Sequence, residues 1–179
     1  MNLAKKIAGL HIQAKSFDRI VYAQSPITSF RNVRQRTPQS YVEKPQGLWY
    51  ECNKGWKEFV QHEMPSWVGS YNHKYLIEVN LNKMCVIRNK KDFLEFVSKY
   101  GFFEDPGMST DKSIDWKAVS KDYDGIEICP YQWDFRMSHM WYYTWDVASG
   151  CIWGSGAFKS LEEVENDIAD EEFKSDYDY

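Results

Sequence analysis

Residues 123–158 read YDGIEICPYQWDFRMSHMWYYTWDVASGCIWGSGAF, and the fold turns on how they divide. Asp124-Gly125 turns into a short strand, Ile126 to Cys129, which Pro130 stops. The rest is the most aromatic stretch of the chain, with Trp133, Trp141, Trp145 and Trp153. We place strands near 141–147 and 150–154, joined through Ala148-Ser149. A final helix starts at Ser160, where Ser160 and Glu163 make a capping box and Leu161, Val164 and Ile168 form an apolar stripe.

Upstream, DRIVYAQ over 18–24 alternates as a strand and is broken by Ser25-Pro26. Residues 27–46 are polar and basic with Pro38 and Pro45, a long loop of the kind that often carries function. Gly47 to Cys52, GLWYEC, is a second strand. Asn53 is placed to cap the helix that follows, with Trp56, Phe59, Val60 and Glu63 at helical intervals and Pro65 at its end. Ile77, Val79 and Leu81 alternate within a third strand, and Met84 to Arg88 is a fourth, with Asn82-Lys83 as the hairpin turn between them. Phe93, Phe96, Val97 and Tyr100 stripe a helix over 90–100, with Gly101 as its C′ residue. Trp116, Val119 and Tyr123 mark a shorter helix, and Leu3, Ile7 and Leu10 an amphipathic one over 3–15.

This order lacks the regular alternation of a doubly wound sheet. It predicts an α+β fold with a mixed, mostly antiparallel sheet, split by inserted helices and flanked by others. The expected organisation is an N-terminal helix over 1–17, one α+β domain over 18–159, and an acidic helix and tail over 160–179.

Composition narrows the function classes. Eight Trp, twelve Tyr and ten Phe make up 17% of the 179 residues, enough for a core of large side chains or a stacking surface for a base. The formal net charge of −4 hides an asymmetry. Residues 162–179 hold nine acids against Lys174, whereas residues 1–46 hold eight bases against Asp18 and Glu43. A basic body suits phosphate-bearing ligands, and the acidic segment reads as a solvated face, a self-inhibitory cover or a protein-binding element.

Cys52, Cys85, Cys129 and Cys151 form no CxxC pair, and with four scattered His there is no zinc pattern, so no metal is expected. We read all four as reduced thiols. The first residues carry no apolar run of the signal-peptide kind, and no stretch is apolar enough to span a membrane. A soluble, cytoplasmic protein is the expectation. No P-loop, GxGxxG fingerprint or GxSxG elbow occurs.

Three segments remain: Tyr22-Ala23-Gln24, Lys44 to Tyr50 with the Trp56 helix, and Tyr123 to Ile128 with Arg136 and residues 141–153. Their order resembles the ADP-ribosyltransferase superfamily, in which an early strand supplies a polar residue to an NAD site. In that family a second strand supplies an aromatic or hydroxyl residue, and late strands supply the catalytic acid. GLWYE resembles the second element, and YDGIEI and WDVASGCIWGSGAF resemble the late strands. This sequence departs from the pattern: the first strand ends in Tyr22 and Gln24 without Arg or His, and Asp146 and Ser149 stand where a Glu is expected. The resemblance implies NAD as substrate, transfer of ADP-ribose to a protein or nucleic acid, Glu127 and Asp146 as catalytic residues, and Tyr22, Gln24, Trp49, Tyr50, Arg136, Tyr143 and Ser149 around the cofactor.

The chemistry can also be argued from the residues. Breaking an N-glycosidic bond passes through an oxocarbenium-like state that a nearby carboxylate stabilises. Glu127 and Asp146 lie in or beside expected strands. Against this, alternation puts Glu127 on an outward face, and Asp146 suits a turn or cap. Trp49, Tyr50 and Tyr143 suit stacking and core packing alike, and Arg136 suits a pyrophosphate or an ion pair with Asp134. Two other classes stay open: a non-enzymatic module binding nucleic acid or protein through residues 1–46 and exposed aromatics, and a carbohydrate-active domain with two carboxylates.

Overall fold

The structure, a computed structural model, describes residues 18–38, 43–103 and 112–169. The expected helix over 3–15 and the end of the acidic tail lie outside them. Seven strands form one continuous sheet in the order β4-β7-β8-β2-β1-β3-β9. They are β1 (Arg19–Ala23), β2 (Leu48–Cys52), β3 (His73–Val79), β4 (Met84–Ile87), β7 (Gly125–Ile128), β8 (Ser149–Ile152) and β9 (Phe158–Val164). A separate two-stranded ribbon pairs β5 (Gly101–Phe102) with β6 (Ser113–Ile114). Only β4 and β7 run parallel, and the crossover between them carries α2 (Lys90–Tyr100) and α3 (Trp116–Asp122). The α+β class and the mixed, mostly antiparallel sheet are as expected, but the sheet is not split.

Its shape follows from one short connection. β3 and β4 are five strand positions apart, roughly 24 Å across a flat sheet. The chain crosses from Val79 to Met84 through Leu81–Lys83, a 3-10 turn, and so few residues reach only about 17 Å. The sheet must therefore curl until the two strands' ends approach. Its concave side holds Val21, Tyr50, Cys52, Tyr75, Ile77, Val79, Met84 and Ile152, with Ile27 and Phe30 of the loop after β1 packed against them. Asn82-Lys83 is consequently no hairpin turn, because the strands it joins sit near opposite ends of the sheet order.

The convex side carries α1 (Gly55–Glu63) and an aromatic mass around Phe93, Phe96, Trp116, Trp141, Tyr142 and Trp145, with Ile126, Ile128 and Cys151 of the sheet beneath. Trp141, Tyr142 and Trp145 are all at most 1% exposed. In a strand Trp141 and Tyr142 would point to opposite faces; here α4 (Met140–Tyr143), a helical turn, lets them and Trp145 bury together. The strand expected over 141–147 is thus a helical turn followed by irregular chain.

The helix expected from Ser160 is the edge strand β9, paired antiparallel with β3. Phe158 lies opposite Val79 and Leu161 opposite Ile77, with a register shift between Glu78 and Val79. That bulge lets Phe158 and Leu161 share a face, whereas Leu161 and Val164 of the expected stripe, opposite Ile77 and Lys74, fall on opposite faces of the strand. Two smaller corrections concern caps. Asn53 adopts φ 68 and does not cap α1, and Gly101 is extended at φ −78 rather than left-handed. Gly101 is needed there for room, since a Cβ would lie 2.5 Å from the Val97 carbonyl oxygen.

Candidate functional site

On the convex side, between the aromatic mass and α1, lies a cleft of about 260 Å³. Ile20 and Tyr22 of β1, Trp49 and Glu51 of β2, and Ser149 of β8 floor it. Trp56, Tyr71, Trp145, Asp146, Val147 and Lys44 form its walls. The register explains the floor. Ile20 lies opposite Glu51 and Glu51 opposite Ser149, so these alternate positions project to one face. Trp49 meets Trp145 edge to face at 4.8 Å, and Trp56 meets Tyr71 at 6.4 Å.

Glu51 is the distinctive group, only 2% exposed. Its Oε2 accepts the backbone N–H groups of Trp56 and, at 3.1 Å, of Lys57. It therefore does for the first turn of α1 what Asn53 was expected to do. Its other oxygen, Oε1, has no hydrogen-bond partner. Burial pushes this carboxyl up to about 7 against the pull of those two N–H donors. A carboxyl that exchanges its proton near neutrality, on the floor of an aromatic cleft, is the chemistry of a general acid or base.

Two charged side chains flank it. Asp146 follows α4 and lies 3.5 Å from Arg136, whose guanidinium also donates to the Tyr131 hydroxyl at 3.0 Å. The Lys44 ammonium sits over the Trp49 ring, 5.2 Å from its centre, and burial lowers its proton affinity.

Of the residues expected at the site, Tyr22, Trp49, Asp146 and Ser149 line this cleft. Gln24 is exposed beyond the end of β1 and is not part of it. Arg136 reaches the cleft only through Asp146, and Tyr143, 40% exposed, lies outside under the Arg136 guanidinium at 5.1 Å. Tyr50 borders the cleft, yet its hydroxyl donates to Glu127 at 2.8 Å.

Glu127 belongs to the concave side and cannot act in the cleft. It accepts from Arg19 at 2.6 and 3.1 Å and is 1% exposed. Arg19 on β1 lies three strand positions from β7 and reaches Glu127 because the sheet curls. Gly150 makes the Tyr50 contact possible. A Cβ on Gly150 would fall 2.2 Å from the Tyr50 ring, which crosses β8 there on its way to β7.

Beside this cluster, Cys52 and Cys129 form a disulfide with Cα atoms 6.5 Å apart, joining the ends of β2 and β7 across β8. This corrects the expectation of four reduced thiols; Cys85 and Cys151 are free. The sulfur atoms and Glu127 fall close enough to suggest a metal group, but sulfurs bonded to each other offer no thiolate to an ion.

Sequence reasoning missed Glu51, Lys44, Trp56, Tyr71 and Trp145 as site residues. The signal for Glu51 was an acid within an otherwise apolar strand, four positions before the start of a helix. No protein family, curated protein or solved structure matches this chain. No helix among the described residues is long and apolar enough to cross a membrane.

Proposed function

We propose that the cleft binds the nicotinamide-ribose end of NAD and that Glu51, in place of Glu127, serves transfer of ADP-ribose to a macromolecular acceptor. The observation that carries this reading is Glu51: a buried carboxyl with one unbonded oxygen, proton affinity near neutrality and aromatic walls beside it. Aromatic faces suit a planar heterocycle. A negatively charged Glu51 stabilises positive charge growing on the ribose; a protonated one donates to its hydroxyls. Asp146, steadied by Arg136, supplies a second carboxylate to the same space. At about 260 Å³ the cleft is smaller than the roughly 300–1,000 Å³ of drug-sized sites, so it takes the base and its sugar and leaves the remainder of a dinucleotide outside.

Calorimetric titration with NAD, followed by nicotinamide release, tests the assignment. Glu51→Gln retains the acceptor oxygen for α1 and should cut release by roughly 100-fold or more with binding preserved. Equal release by Glu51→Gln and the unaltered chain would remove Glu51 from the chemistry, and absence of NAD binding would remove the substrate.

A second reading, a nucleic-acid-binding module, is favoured by the platform outside the cleft. Trp133 is 70% exposed against Tyr131, and Arg136 lies over Tyr143. Exposed rings with a guanidinium between them suit stacked bases. It predicts polynucleotide binding that weakens with salt and with Trp133→Ala.

A further inference from the structure

Of the charged residues lining the cleft, Glu51, Asp146 and Lys44, only Lys44 has no part in the transfer chemistry. Its stem enters from the loop before β2, and its ammonium rests over the face of Trp49. Among the described residues, its ammonium makes the contact with the Trp49 ring and no ion pair or hydrogen bond. The nearest influence of opposite sign is Asp146, which is already engaged by Arg136. A half-buried ammonium that has given up water without gaining an acceptor carries a desolvation cost. The ring offsets only part of it, about 0.5–2 kcal/mol in such pairs. An anion arriving beside Trp49 would supply the missing acceptor and form a charge-assisted hydrogen bond. Glu51 is held on the floor by α1, so it does not fill that role.

We infer that Lys44 is a specificity residue that selects a nucleotide over a nucleoside, by taking the 5′-phosphate group of a ligand whose ring stacks on the aromatic walls. This rests on the reading of the cleft as a base-and-ribose site. It adds that the group at the mouth is anionic, so a neutral sugar or an unphosphorylated nucleoside is the poorer ligand. The proposal involves binding alone, with no bond made or broken.

The test compares two pairs of ligands by calorimetry at one ionic strength: nicotinamide riboside against its mononucleotide, and adenosine against its 5′-monophosphate. The expected result is that the phosphorylated member binds at least tenfold tighter. The ratio should fall towards one in Lys44→Met and persist in Lys44→Arg, with circular dichroism confirming that both variants fold. Equal affinities within each pair, or a ratio unmoved in Lys44→Met, would overturn the inference while leaving the cleft reading intact. Binding of the adenosine pair alone, with the Lys44-dependent ratio, would support the inference and overturn nicotinamide as the substrate group. Binding of neither pair would overturn both.

Discussion

Glu51 and Glu127 invite comparison. Each is a strand glutamate, they are 2% and 1% exposed, and only β8 separates their strands. They face opposite sides of the sheet. On the concave side Glu127 has Arg19 and the Tyr50 hydroxyl, and its charge is matched. On the convex side Glu51 has two backbone N–H donors and no cation in contact, and its proton affinity rises to about 7. Burial alone does not decide whether a carboxyl is structural or reactive. The partner that the fold delivers decides it, and here the curl of the sheet delivers Arg19 to one and not the other.

The comparison breaks most sharply if Arg19 is removed. Arg19→Met should cost roughly 3–5 kcal/mol in urea denaturation, because it strands a buried charge. Adding Glu127→Gln should recover most of that loss. A single variant within about 1 kcal/mol of the parent would show that Glu127 does not depend on its cation. Next, the disulfide spans a sequence separation of 77 residues beside Glu127. Replacing Cys52 and Cys129 with Ser should lower stability by about 2–5 kcal/mol, and reductant should lower the parent's melting temperature but not the variant's.

A third effect separates the two acids by pH. Glu51 keeps its proton up to about pH 7 in the folded chain, whereas an unfolded glutamate loses it near 4.3. Its contribution is therefore fully present below about pH 4.3 and is lost as pH rises through 7, a decline on the order of 3–4 kcal/mol. Stability measured from pH 4 to 8 should show that decline in the parent and a flatter profile in Glu51→Gln. Identical profiles would place the proton elsewhere. The smallest effect belongs to Ser149, the neighbour of Glu51 on β8, whose hydroxyl donates only to the Val147 carbonyl at 3.0 Å. Ser149→Ala should cost about 1 kcal/mol or less in the same denaturation series.

Much of this was legible in the sequence where a period was clean. The stripe of α2, the Pro-bounded β7 and the alternation of β3 as far as Val79 lie where the pattern put them, while Leu81 opens a 3-10 turn instead of ending the strand. The pattern misled where tertiary contacts reset it: the spacing of Leu161, Val164 and Ile168 imitated a helix where β3 captures an edge strand, and the buried triplet Trp141, Tyr142 and Trp145 imitated a strand. The site was half legible for a related reason. Trp49 and Asp146 stood out by residue type, but Glu51 and Glu127 look alike in sequence. Their difference lies in which face each occupies and in a long-range encounter between β1 and β7, set by the three-residue turn Leu81–Lys83 far along the chain from Arg19.

The edge strand β9 also leaves one margin of the sheet open among the described residues. One side of β9 is taken by β3, and the other leaves a row of backbone donors and acceptors that a second molecule could extend into a larger sheet. Lys159, Glu162 and Glu163 are exposed along it, with Glu165 just beyond. Charged side chains along an exposed edge disfavour pairing with a further strand, so this segment guards the rolled sheet against growing.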